Sequence, residues 1–285
     1  MKFANFTSGY QRISLEQAFA DARDFGYDGI EIWGCRPHAY AYDLNEARID
    51  GIRRLSERYE IPVIGFTPKV NSYPFNLMIG EKDIWEDSLA YIRRAIDASS
   101  DLGAGFTLIA FGHAGDLVTR QQIQERIRES LLVLGDYALK KKNLLIIEPL
   151  SWREANTINT AAQLAEALEA VNCPAVAGMC DVVVPFVQQK QGLAEETLDT
   201  YFDLLGSRLA HIHMTDSDGI SEDHVLPGEG VAPLKEMLRT LRARGYDGWV
   251  TIELVTKYID RPTEVAGKAI RHMRKLEEEI SQEDQ

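Results

Sequence analysis

Cysteine is scarce in this chain: Cys35, Cys173 and Cys180 are the only three in 285 residues, and none forms a C-x-x-C pair. An odd, unpaired set excludes a disulfide framework and predicts a reducing, cytoplasmic location. Cations are also in deficit. Lys and Arg number 31 against 44 Asp and Glu, a formal net charge of −13, which excludes a nucleic-acid partner bound through clustered basic residues. Long apolar runs are missing too. The stretch Met1 to Thr7 has no signal-peptide core, and no later segment approaches the roughly 20 apolar residues of a membrane span. Finally, no glycine-rich first strand-to-helix turn is present, as a doubly wound dinucleotide-binding sheet would carry.

What is present is an ordinary globular composition, 45% hydrophobic, in alternating short apolar runs and amphipathic segments. Strands are predicted at Lys2–Phe6, Gly29–Trp33, Ile61–Phe66, Gly105–Ala110, Asn143–Leu150, Val176–Asp181, Leu209–His213 and Trp249–Glu253. Helices are predicted between and after them. The first starts at Ser14, with Gln17 in capping-box position, and ends at Gly26. The others cover about Leu44–Tyr59, Asp83–Asp101, Thr119–Lys141, Thr160–Ala170, Glu195–Leu205, Pro233–Arg244 and Pro262–Ile280. Glu277, Glu278, Glu279, Glu283 and Asp284 read as an acidic, frayed end. The mean period of roughly 35 residues suits a strand–helix unit. With no linker or composition shift, residues 1–285 are expected to form one closed (β/α)8 TIM barrel. Gly26-Tyr27-Asp28-Gly29 and Gly245-Tyr246-Asp247-Gly248 echo each other at two helix-to-strand turns.

Four successive strands end in metal-donor residues: Glu148, Asp181, His213 and Glu253. Barrel active sites lie at the carboxyl ends of the strands, and strands five to eight are neighbours around the ring, so these side chains can converge. A charge at the end of a buried strand is costly unless something pairs with it. Three carboxylates and an imidazole suit Mn²⁺, Co²⁺, Ni²⁺ or Fe²⁺ better than a closed thiolate zinc site. His211 shares the face of His213, one layer lower, and reads as buried support.

The pattern Phe6-Thr7-x-Gly9-x-Gln11-Arg12, the segment Gly26–Ala39 and Pro227-Gly228-Glu229-Gly230 resemble the xylose-isomerase-like barrel superfamily of sugar isomerases, ketose 3-epimerases and type IV apurinic endonucleases. The similarity spans the chain and is greatest to the fructoselysine 3-epimerase family. It implies an isomerase acting at C3 of a ketose or ketosamine through a cis-enediolate, with Glu148, Asp181, His213 and Glu253 on a divalent metal and Glu148 and Glu253 as the acid/base pair. It also implies substrate contact at Glu154 and places His224 near the metal.

Further substrate contacts are expected from position: His113 at the exit of strand four, Trp33 and Phe66 as aromatic walls, and the loop Thr67 to Asn76 as a cover. Two departures from the ketohexose epimerases bear on the substrate. Val184 stands where they carry a histidine and Gly219 where they carry an arginine. Val184 and the absence of a histidine at Phe66-Thr67 also argue against a trinuclear-zinc endonuclease. An acidic rim of Asp216, Asp218, Glu222 and Asp223 is expected to draw the cationic lysine part of the substrate, with Arg36 a candidate for its carboxylate. The alternatives are a tagatose or psicose 3-epimerase or sugar isomerase, an inosose-dehydratase-like lyase, and a barrel that binds a sugar without catalysis. A homo-oligomer is compatible with all of them.

Overall fold

The computed structural model describes residues 1–283. The first barrel strands are β1 (Lys2–Phe6), β2 (Gly29–Trp33) and β3 (Val63–Thr67); a small antiparallel hairpin follows, β4 (Asn71–Ser72) with β5 (Phe75–Asn76). The remaining barrel strands are β6 (Phe106–Ala110), β7 (Leu144–Glu148), β8 (Val176–Asp181), β9 (Leu209–His213) and β10 (Trp249–Ile252). Eight parallel strands close in the order β1-β10-β9-β8-β7-β6-β3-β2. The closed parallel ring, with helices following its strands, is the (β/α)8 barrel the sequence predicts.

Alternation along the strands divides the apolar residues between two cores. Ala4, Ile64, Phe106, Leu108, Ile146 and Met179 fill the barrel interior. Ile30, Ile32, Leu145, Ile147, Ile212 and Val250 belong to the larger core beneath the helices. Each fully buried Ile, Leu or Phe contributes roughly 1.5–3 kcal/mol. The interior alternation continues to the strand ends, so the residues that follow Ile146 and Met179 by two, Glu148 and Asp181, also face inward.

The helices are α1 (Leu15–Phe25), α2 (Glu46–Tyr59), α3 (Lys82–Asp101), α4 (Arg120–Lys140), α5 (Ala161–Val171), α6 (Val183–Lys190), α7 (Leu198–Leu205), α8 (Leu234–Ala243) and α9 (Pro262–Glu283). Ser14 caps α1 by accepting from the Gln17 amide, but the Gln17 side chain turns to Asp21 at 2.8 Å, so the predicted reciprocal box is only half formed. The structure adds α6, for which the sequence offers no cap and only a continuation of the strand's apolar run into Val182–Val187. Helix α7 starts later than expected because Glu196 is used elsewhere: its carboxylate accepts from the Ala161 and Ala162 amides at the start of α5 (2.6 and 3.1 Å). The acidic end is helical to Glu283, held by Lys235 on α8, which pairs with Glu279 and Glu283 at 2.9 and 2.7 Å. Asp284 lies outside the described residues. Among the described residues no helix is long and apolar enough to cross a membrane.

The hairpin β4–β5 sits over the barrel mouth because Gly112, just past β6, lets it approach. A Cβ at position 112 would lie 2.0 Å from the Asn71 carbonyl oxygen, and the Asn76 amide donates to the His113 carbonyl at 3.1 Å. Gly112→Ala must therefore displace backbone, a clash of the kind that costs about 1–3 kcal/mol. The variant is expected to melt several degrees lower, as read by circular dichroism, and a wild-type melting curve would rule out this close approach.

Candidate active site

His213 is the centre of the inward-facing group. Its Nδ1 lies 2.7 Å from Glu253 Oε2 and 3.9 Å from Glu148 Oε1. On the next strand, Asp181 Oδ2 meets His224 Nε2 at 2.9 Å, and the same His224 nitrogen lies 3.9 Å from Glu253 Oε2. Two overlapping donor groups result, Glu148–His213–Glu253 and Asp181–His224–Glu253, each with one ligand atom per residue within 4.8 Å of the others. The structure thus brings together the four strand-end residues singled out in the sequence, with His224 beside them.

Glu31, on β2, is the residue of this site that the sequence reading passed over. It is fully buried and sits behind His213, with Oε2 3.1 Å from His213 Nε2 and 3.0 Å from His211 Nε2. The hydroxyls of Thr67 and Thr251 also donate to it, Thr251 at 2.7 Å. Burial pushes the Glu31 pKa up, but the two imidazoles outweigh it and hold the carboxyl well below its usual range. An ionised Glu31 accepts the Nε2 proton of His213 and turns Nδ1 toward Glu148 and Glu253. This is how a carboxylate behind a metal-binding histidine fixes tautomer and ring orientation. Burial lowers the His213 pKa, but Glu31 and Glu253 outweigh it and raise it well above its usual value. Nδ1 therefore donates to Glu253, and a divalent cation held here would take the place of that proton. The clue in sequence was present but silent: an acidic residue in the middle of the apolar run Gly29–Trp33 is expensive to bury without partners.

The charges around the centre are unequal. Burial, reinforced by the Glu253 carboxylate, raises Glu148 well above the ordinary range. Burial lowers the His224 pKa, but Asp181 and Glu253 more than compensate and lift it to about 9. Three carboxylates crowded against two imidazoles form a donor set that a divalent cation would neutralise, with the O/N mixture typical of Mn²⁺, Co²⁺, Ni²⁺ or Fe²⁺. The buried Nδ1 of His224 has no hydrogen-bond partner.

Above the centre opens a cavity of about 530 Å³. Trp33, Glu148, Glu154, Asp181, His224 and Glu253 line it, as do Thr67 to Asn71 from the loop expected to cover the pocket. Glu222 and Asp223 of the expected acidic rim are also there. The other residues singled out are placed elsewhere, each for a physical reason. Phe66 is fully buried with the helix-side core, because the register of β2 against β3 shifts between Ile30 and Glu31 and leaves Thr67 facing inward. His113 folds onto its own loop, Nδ1 accepting from the Gly115 amide at 2.9 Å. Asp216 is buried as the anchor of its loop, accepting from the amides of Ser217, Gly228, Gly230 and Ala232 at 2.9–3.0 Å. Asp218 caps the turn at Ile220 and Ser221. Arg36 is occupied by Asp43 in a two-bond pair at 2.6 and 2.7 Å. Lys69, Gln11 and Ser8 line the cavity without having been anticipated as contacts.

The raised His224 pKa gives a pH test with a definite sign. A histidine raised from 6.5 to about 9 contributes its full stabilisation below pH 6.5 and loses it as pH climbs to about 9. The elevated Glu148 carboxyl works in the same direction. Protein stripped with a chelator is therefore expected to melt at lower temperature at pH 9 than at pH 6.5. A melting temperature that is flat or rising over that window would contradict the buried His224–Asp181 pair.

Known proteins of similar sequence and fold place the chain in a family. Residues 19–276 match the xylose isomerase-like TIM barrel family. The chain is 44% identical over 276 residues to the fructoselysine 3-epimerase of Shigella flexneri, covering 97% of this chain and 98% of that one. Among solved structures, the D-psicose 3-epimerase of Clostridium cellulolyticum H10 with D-tagatose superposes with a TM-score of 0.81 at 17% identity, covering 97% and 99% of the two chains. The 3-keto-D-glucoside 4-epimerase of E. coli does so with 0.80 at 17%, covering 96% and 99%. At that identity the superpositions speak for the fold, and the close relative speaks for the enzyme class. This chain belongs to the xylose isomerase-like TIM barrel family, as an epimerase-type isomerase alongside the fructoselysine 3-epimerases.

Proposed function

We propose that this protein is a metal-dependent, cytoplasmic ketose 3-epimerase whose substrate is fructoselysine, interconverted with psicoselysine. The observation that carries the reading is the pair of carboxylates, Glu148 and Glu253, set on either side of His213 Nδ1 at the floor of one cavity. They come from β7 and from the end of β10, which are not neighbours in the ring, so a sugar carbon between them can be reached from two faces.

The hydrogen on C3 of a 2-ketose is acidified by the adjacent carbonyl. One glutamate removes it from one face, and the other returns a proton to the opposite face of the resulting cis-enediolate. The glutamate that starts the cycle must be ionised and its partner protonated, and Glu148, whose environment already favours the protonated form, can play either part as the direction reverses. A divalent cation of the Mn²⁺, Co²⁺, Ni²⁺ or Fe²⁺ kind, held by Glu148, Asp181, His213 and Glu253, would supply Lewis-acid stabilisation of the enediolate charge. Glu31 holds His213 in the required tautomer, and His224 orients Asp181. Ser8, buried with an unpartnered hydroxyl beside the cavity, is suited to a polyhydroxylated ligand.

Replacing either Glu148 or Glu253 by Gln is expected to lower kcat by about 10²–10⁴-fold, and turnover in D₂O should place deuterium at C3 alone. Deuterium at C1 would identify an aldose–ketose isomerase, loss of water a lyase, and no exchange at all a binding protein. Exhaustive chelation should abolish activity and added Mn²⁺ or Co²⁺ restore it; full activity in metal-free protein would refute the metal assignment. Glu31→Gln removes the charge behind His213 and is expected to weaken metal binding by about 10–100-fold, measured by titration calorimetry. Unaltered affinity would leave Glu31 a purely structural residue.

A further inference from the structure

The cavity holds more charge than the reaction centre uses. Once Glu148, Asp181 and Glu253 are assigned to the centre, the lining still contains Glu154, Glu222, Asp223 and Lys69. Glu222 has partners: Ser151 donates to it and Arg153 lies 3.9 Å away. Lys69 is the single ammonium or guanidinium of the lining, and among the described residues it, Glu154 and Asp223 have no ion-pair partner. Lys69 still acts on Glu154, since burial raises the Glu154 pKa and the ammonium partly offsets that rise. Each of the three keeps solvent contact at the mouth, where its charge is hydrated and open to the counterpart a ligand would bring.

Their placement has a pattern. Lys69 is on the loop after β3 and Asp223 on the loop after β9, strands that stand opposite each other in the eight-membered ring. Glu154 follows β7, which lies midway on the arc of the ring between those two strands. Val70, Leu150 and Val255 give the wall between them an apolar surface. A cation on one side, an anion on the other and a second carboxylate on the arc between them complement a zwitterion on an apolar tether that carries a second amine.

We infer that Lys69 receives the α-carboxylate of an amino acid whose side-chain nitrogen bears the ketose, while Asp223 receives its α-ammonium and Glu154 the nitrogen attached to the sugar. This rests on the ketosamine reading above; it keeps Asp223 from the expected acidic rim and puts Lys69 in place of Arg36 as the partner of the carboxylate. The two surplus carboxylates against one ammonium match a ligand with two amines and one carboxylate.

The test compares fructoselysine with the adduct of the same sugar and pentane-1,5-diamine, which keeps both amines and lacks the carboxylate. C3 epimerisation by metal-loaded wild type, Lys69→Gln and Lys69→Arg is followed on each. Lys69 is exposed at the cavity mouth, so both variants are expected to fold. Wild type should favour fructoselysine by about tenfold in kcat/KM, chiefly through KM, the scale of one charge-assisted hydrogen bond. Lys69→Gln should erase that preference, and Lys69→Arg should retain most of it. A wild type that prefers the more cationic diamine adduct, or a Lys69→Gln variant that loses the same factor on both substrates, overturns the role of Lys69 and leaves the epimerase reading standing. If wild type epimerises neither adduct but does epimerise a free ketohexose, the ketosamine reading itself falls, and this inference with it.

Discussion

The Glu31 carboxylate, enclosed at the base of the site by His211, His213, Thr67 and Thr251, is the interaction on which the chemistry above it depends. A buried carboxylate is tolerated only with its hydrogen-bonding capacity filled. Here four donors from β3, β9 and β10 fill it, and the acceptor itself comes from β2. One ionised group thereby ties together four strands of the ring. It also decides which nitrogen of His213 faces Glu148 and Glu253, so the orientation of the reacting centre is inherited from a residue that does not line the cavity.

Above that layer the barrel separates two electrostatic tasks by height. The floor concentrates Glu148, Asp181 and Glu253 around two imidazoles, where low exposure strengthens each interaction and a cation is the natural counterpart. The mouth distributes Lys69, Asp223 and Glu154 over loops that follow different strands. Floor geometry follows from the strand ends, which the barrel holds rigidly; mouth geometry follows from loops, which can vary while the barrel stays the same.

The loop after β9 shows how a sequence pattern and its structural use diverge. Met214 to Asp223 carries four carboxylates in ten residues, and linear reading makes them equivalent. In the fold, Asp216 turns inward to collect four backbone amides, among them those of Gly228 and Gly230 from the Pro227–Gly230 motif. Asp218 closes a local turn, and only Glu222 and Asp223 reach the cavity. The Pro227–Gly230 motif thus serves to clamp this loop.

Strand ends, helix caps and the inward or outward sense of each strand residue are local properties, governed by period and by which backbone groups need partners within a few residues. For that reason Glu148, Asp181, His213 and Glu253, together with nearly all strands and helices, were readable in the chain. Other outcomes turn on which segments meet across the barrel. The register shift at Ile30 and Glu31 sends Phe66 outward and Thr67 inward. Gly112 admits the hairpin that brings Lys69 and Asn71 over the mouth. Glu196 is drawn to the start of α5. Hydrogen bonds and ion pairs have finite reach and valence, so each such group answers to whichever partner the closed ring places beside it, and that was decided by the tertiary structure alone.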